Sequence, residues 1–99
     1  MKKKIIILGS TGSIGMTTIK IVKKNKKIFD VILLTANRNY VKLLSQAKTL
    51  NCKNIIVFDK ENFFKAKIIN KNKNVRIFNN VKDFLKNQKN KVDYTMCAI

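Results

Sequence analysis

All three glycines of the chain fall within seven residues, at Gly9, Gly12 and Gly15 of Leu8-Gly9-Ser10-Thr11-Gly12-Ser13-Ile14-Gly15. A chain that uses glycine nowhere else needs bare backbone at this one turn. The turn follows an apolar run, Ile5-Ile6-Ile7-Leu8, and precedes a helical pattern from Ser13 to Lys24. Glycine reaches positive φ and has no Cβ, so backbone there can approach a phosphate group closely. The free N–H groups at the start of the following helix then point at the phosphate oxygens, and the helix dipole favours their charge. A tight strand-to-helix turn with no ligand is the plain alternative. The position of this turn, directly after the first strand of the chain, favours the ligand.

Composition bounds the rest. Ninety-nine residues suit one small domain. No 18-residue apolar stretch is present, so no membrane span is expected. The run after Lys2-Lys3-Lys4 stops at Gly9, too soon for a signal-peptide core, and a cytoplasmic protein is expected. Cys52 and Cys97 lie in no C-x-x-C and the chain has no histidine, which argues against structural zinc and for two buried free thiols. Lysine and arginine total 22 against 5 acids, a net charge of +17. That surplus alone suggests a polyanion partner. Yet the lysines accompany abundant asparagine and isoleucine, all with AT-rich codons, and arginine appears only at Arg38 and Arg76. Phosphate and base readout favour arginine. Nucleic acid is therefore not the expected partner, although the charge attracts phosphorylated ligands at low salt.

Strands and helices alternate along the chain. Lys4–Leu8 reads as a strand covered on both faces. Ile14, Thr18, Ile21 and Val22 mark the inner face of the first helix. Phe29–Thr35 is a second strand. Asn39 caps a helix with Val41, Leu44, Ala47 and Leu50 inward. Asn54–Phe58 is a third strand, and Asp59 caps a helix on which Phe63, Phe64, Ala66 and Ile69 pack. A loop over Asn70–Asn74 leads to a short strand, Val75–Phe78. Asn80 precedes a helix with Val81, Phe84 and Leu85 inward, and Val92–Ile99 closes the pattern as a strand. This order predicts an α/β fold, a Rossmann-like parallel sheet flanked by helices, with right-handed crossovers. Because Ile99 ends an expected buried strand, the chain is expected to be an incomplete N-terminal domain of a larger protein. A naturally short domain is the alternative.

The second strand runs into Thr35-Ala36-Asn37-Arg38-Asn39-Tyr40, with no carboxylate to accept from ribose hydroxyls as NAD sites require. Arg38 instead offers a guanidinium fork where a 2′-phosphate would lie, beside the amides of Asn37 and Asn39. The expected nucleotide is NADP rather than NAD.

The motif Leu8 to Gly15 with Thr17-Thr18 and Phe29-Asp30-Val31, the stretch Ala36-Asn37-Arg38-Asn39 with Leu43-Leu44, Gln46 and Ala47, and the end Asp93 to Ile99 together resemble the amino terminus of 1-deoxy-D-xylulose 5-phosphate reductoisomerases. The resemblance covers essentially the whole chain. It implies an NADPH-dependent enzyme of isoprenoid precursor synthesis. Such enzymes convert a phosphorylated sugar, 1-deoxy-D-xylulose 5-phosphate, to 2-C-methyl-D-erythritol 4-phosphate by rearrangement and reduction. It also implies a divalent metal (Mg, Mn or Co) and a homodimer. Carried over by position, Gly9, Thr11, Gly12, Ser13 and Ile14 hold the pyrophosphate region of NADPH, and Asn37, Arg38 and Asn39 its 2′-phosphate end. Asn37 departs from the family's usual glycine, and Cys52 lies where relatives often carry proline.

The family's metal carboxylates, substrate-phosphate residues and active-site loop lie beyond Ile99. Asp30, Asp59, Glu61, Asp83 and Asp93 are scattered with no metal-site spacing. The expectation is that catalytic residues are absent here and that the chain alone binds NADPH weakly or not at all and does not catalyse. The alternatives are another NADP-dependent oxidoreductase domain, or a basic module for polyanions or nucleic acid.

Overall fold

Parallel strands joined by helices have one economical arrangement, a sheet with helices over its faces. The computed structural model describes residues 2–98 and has this arrangement. Strands β1 (Lys3–Leu8), β2 (Phe29–Ala36), β3 (Asn54–Val57), β4 (Arg76–Phe78) and β5 (Tyr94–Cys97) alternate with helices α1 (Ser13–Lys24), α2 (Tyr40–Leu50), α3 (Lys60–Ile69) and α4 (Val81–Asn87). All strand pairs are parallel, in the order β4-β3-β2-β1-β5. The chain builds outward from β1 through β2, β3 and β4, then returns to the other side of β1. The order therefore reverses between β1 and β5, and ligands in such sheets bind beyond the carboxyl ends at that reversal. Ile99, the expected end of the last strand, lies outside the described residues.

Two cores sandwich the sheet. Ile5 and Ile7 of β1, Val31, Leu34 and Ala36 of β2, and Ile55 and Val57 of β3 pack with Ile19, Val22, Leu43, Ala47, Cys52 and Ala66. On the other face Ile32, Leu33 and Ile56 pack with Phe84 of α4. Strict alternation would not put Ile32 and Leu33 on one face and Val31 and Leu34 on the other. A register shift explains it: Ile5 pairs with Val31 but Ile6 pairs with Leu33, which leaves Ile32 as an extra residue.

Each helix start after the first has a side-chain cap. Asn39 accepts from the Lys42 N–H at 3.2 Å, Asp59 from Asn62 at 3.1 Å, and Asn80 from Asp83 at 2.8 Å. Asn51 ends α2 in the left-handed region, at φ 54°.

The inner face of α1 differs from the one expected. Gly15, Ile19 and Val22 are buried, whereas Ile14 and Ile21 are 62% and 55% exposed. The period is unchanged but the helix is rotated by about one residue. The cause is steric: a Cβ on Gly15 would sit 2.3 Å from the Gly9 carbonyl oxygen and 2.6 Å from Ser10 Cα. Only glycine lets α1 lie on this turn, so Gly15 must face inward and Ile14 outward. Smaller corrections apply elsewhere. Leu43 and Gln46, not Val41, are buried on α2. Phe64 and Ile69 of α3 and Val81 and Leu85 of α4 are exposed, because each of these helices covers the sheet near β3 and β4 with one narrow face. Cys97 is exposed on the edge strand β5, contrary to the expectation of two buried thiols.

Gly15→Ala should destabilise the fold by ~2 kcal/mol or more, since the atoms met are backbone and cannot swing aside; urea unfolding measures this. The thiols should also separate. Burial pushes the Cys52 thiol from 9.0 up to about 12. Iodoacetamide at pH 8 should label Cys97 promptly and Cys52 only on unfolding, followed by mass spectrometry. The unfolded state loses the Cys52 proton first, so stability falls as pH rises from 9.0 towards 12.

Candidate functional site: the cleft over the glycine turn

The turn between β1 and α1 carries Gly9 at φ 73°, a conformation other residues rarely adopt. It passes into Gly12, which stands in extended backbone (φ −75°, ψ 176°) as the residue before α1. No side chain caps this helix. Its first N–H groups are thus left for a partner from outside the turn, whereas α2, α3 and α4 have theirs met by asparagine or aspartate. Gly12 also has room: a Cβ there would meet only the Gly9 carbonyl oxygen, at 3.9 Å. The absence of a side chain at Gly12 is not required by packing, unlike the absence at Gly15.

A cleft of about 490 Å³ opens over this turn. Its lining includes Gly9, Thr11, Gly12, Ser13, Ile14 and Asn37, which sequence reasoning nominated, together with Thr35, Ala36, Phe58 and Ala98, which it did not. The missed residues share one signal: each lies at or just past the carboxyl end of β2, β3 or β5. Phe58 is placed by its N–H to the Ala36 carbonyl at 3.1 Å, and Ala98 by its N–H to Leu8 at 2.9 Å. The exposure of Ile14, anomalous for a core residue, follows from its place on the cleft wall.

Arg38 and Asn39 are outside that lining, on the exposed turn after β2. The turn is stapled to β3 by the Asp59 N–H, which donates to the Asn37 carbonyl at 2.9 Å. Hydrogen bonds from the Asn62 backbone N–H and then its side-chain amide hold the Asp59 carboxyl below its usual range, and the Arg38 charge adds to this. Asn39 commits its Oδ1 to capping α2, which leaves its amide N–H groups to donate. Asn37 has no positive φ; Asn51 is the non-glycine residue with that conformation among those described. Replacing glycine by asparagine at position 37 therefore puts no strain on the turn.

Beneath the cleft lies a polar layer. Thr35 is buried, and its Oγ1 accepts from the Gly9 N–H at 2.9 Å, while its carbonyl accepts from the Ser10 N–H at 3.0 Å. Ser10 is fully buried beside Gln46 of α2. No group of three His, Cys, Asp or Glu able to hold a metal exists among the described residues, so these side chains do not fit a divalent ion. No described helix is long and apolar enough to cross a membrane.

Comparison with known proteins identifies the family. A family model described as 1-deoxy-D-xylulose 5-phosphate reductoisomerase matches residues 5–99. The protein of that name from Pelagibacter ubique is 50% identical over 99 residues, covering 98% of this chain and 26% of the relative. That from Porphyromonas gingivalis is 44% identical over 63 residues, covering 64% of this chain and 16% of the relative. The solved structure of the reductoisomerase from Zymomonas mobilis in complex with NADPH superposes with a TM-score of 0.86 at 30% identity, over 100% of this chain and 26% of that one. The chain thus spans a minor part of the length of these relatives.

Thr35→Val should cost ~1 kcal/mol in denaturant unfolding, because it leaves the half-buried Gly9 N–H without its acceptor.

Proposed function

The chain belongs to the 1-deoxy-D-xylulose 5-phosphate reductoisomerase family, and from that premise we propose that residues 1–99 are the NADPH-binding amino-terminal portion of such an enzyme. The observation that carries the reading is Gly12: open space where its Cβ would stand, at the uncapped start of α1, under the cleft. A pyrophosphate fits there. The backbone N–H groups of α1 donate to its oxygens and the helix dipole stabilises its charge. Gly9, Thr11, Gly12, Ser13 and Ile14 form this end of the site. Asn37, Arg38 and Asn39 take the adenosine 2′-phosphate, Arg38 by its guanidinium and the asparagines by amide N–H groups. Phe58 and Ile14 supply apolar surface along the cleft.

When bound, NADPH supplies the hydride of the reduction. This chain binds and orients the nucleotide and contributes no group to the rearrangement. The phosphorylated sugar and the divalent metal are held by other parts of the enzyme, which we take to be a cytoplasmic homodimer. Formation of 2-C-methyl-D-erythritol 4-phosphate from 1-deoxy-D-xylulose 5-phosphate by the enzyme tests the activity proposed for the whole.

An NMR titration of the chain with NADPH and NADH tests the assignment. Weak binding with preference for NADPH is expected, with the largest amide shifts at Gly9 and at residues 11–14. Gly12→Val should abolish binding while unfolding stability stays within ~1 kcal/mol of the parent, given the space at that position. Arg38→Ala should weaken NADPH about tenfold, the loss of a charged hydrogen-bonding pair, and leave NADH nearly unchanged. Equal effects of Arg38→Ala on both nucleotides refute the 2′-phosphate assignment, and unchanged binding by folded Gly12→Val, in the chain or in the full-length enzyme, refutes the reading.

A further inference from the structure

We infer that Gln46 is the positioning residue of the glycine turn: its amide, reaching from α2, holds Ser10 so that the backbone from Thr11 to Ile14 is presented ready-made to the pyrophosphate. The inference rests on the NADPH reading above.

Gln46 faces the apolar core from α2, between Leu43 and Ala47, where a leucine would otherwise be the favourable residue. Both ends of its amide are used on one residue. Its Nε2 donates to the Ser10 carbonyl at 2.9 Å, and its Oε1 accepts from the Ser10 hydroxyl at 2.7 Å. The chemistry settles the orientation of the amide, since a carbonyl oxygen can only accept and so must face the NH2 group. The Ser10 hydroxyl has one hydrogen. The Thr35 carbonyl lies 3.5 Å from it, so that hydrogen goes to Gln46.

Ser10 is thereby held on three sides. From β2, Thr35 takes the N–H groups of Gly9 and Ser10. From α2, Gln46 takes the carbonyl and hydroxyl of Ser10. From α1, Gly15 packs on the Ser10 backbone too closely for a Cβ. Every polar group of Ser10 is consumed inside the protein, and the residue is fully buried. In a motif rich in hydroxyls, Ser10 is not a ligand contact; Thr11 is the first residue after Gly9 that reaches the cleft. A turn clamped at Ser10 does not have to be ordered when the nucleotide arrives, and preorganisation of this kind raises affinity without adding a contact.

Gln46 does not line the cleft and its side-chain hydrogen bonds go to Ser10, which makes its effect distinguishable from that of Arg38. Gln46→Met fills similar volume but carries no amide. It should weaken NADPH and NADH alike, by about tenfold, because both share the pyrophosphate, whereas Arg38→Ala moves NADPH alone. Ser10→Ala, a smaller change that keeps the Nε2 bond to the Ser10 carbonyl position, should weaken both about threefold. Titrations of the chain are run well below the melting temperature of each variant, with the folded fraction read from the NMR spectrum. In the parent chain, the Gln46 side-chain NH2 signals should exchange slowly with solvent.

A merely structural role predicts lower melting temperatures with unchanged affinities in the folded population. Unchanged affinity for both nucleotides in folded Gln46→Met, or in folded Ser10→Ala if Gln46→Met does not fold, overturns the inference and leaves the NADPH reading standing. Unchanged nucleotide binding by folded Gly12→Val, in the chain or in the full-length enzyme, removes that reading and the inference with it.

Discussion

The structure turns on one close approach, that of the α1 backbone at Gly15 to the Gly9–Ser10 segment. A Cβ at 2.3 Å from a carbonyl oxygen has no low-energy accommodation, so the approach exists only because position 15 is glycine. Three features depend on it. It sets the rotation of α1, bringing Ile19 and Val22 to the core and turning Ile14 to the cleft. It brings the uncapped helix start directly over the carboxyl end of β1. It also seals Ser10 from water, which obliges every polar group of Ser10 to find a partner within the protein.

Those partners come from far along the chain. Thr35 closes the end of β2 and Gln46 stands a full turn and a half into α2, yet both serve a turn that precedes them by some twenty-five to thirty-six residues. A buried polar layer costs free energy unless every member is paired. Here no buried side-chain N or O among the described residues lacks a partner. The layer thus converts a flexible glycine turn into a rigid one and ties it to the helix whose start carries Arg38 and Asn39.

The charge of the chain is distributed differently from its candidate site. With a net charge of +17, lysine could be expected to crowd the anion site. None of the residues lining the cleft over the glycine turn is charged. Lys53, Lys73, Arg76, Lys86 and Lys89 instead gather around a cavity of about 630 Å³ at the opposite, amino-terminal end of β3 and β4. In the proposed reading, recognition at the turn relies on oriented N–H groups and on Arg38 at its far corner, which is local and less sensitive to salt than a diffuse basic surface. Composition alone points toward a polyanion, whereas the position of three glycines points toward a nucleotide.

The order of strands and helices, the caps at Asn39 and Asp59, the glycine turn and the exposed Asn37–Arg38–Asn39 stretch after β2 were all legible in the sequence, because each depends on neighbours within a few residues. Backbone conformation at a turn, a cap three residues from its N–H and a period of two or 3.6 are local physics. What only the tertiary structure decided is which face each helix buries, that Ile32 is an extra residue in β2, that Cys97 is exposed, and that Thr35, Phe58 and Ala98 join the cleft. Gln46 was visible as part of a family pattern, but its work was not, since a glutamine on an amphipathic helix reads as solvated. Its partner Ser10 lies thirty-six residues away, and only packing brings α2 against the turn. Local periodicity fixes the spacing of apolar residues along a helix but leaves its rotation free by a residue or so. Contacts between distant segments, led here by a missing Cβ, select one rotation among those the pattern allows.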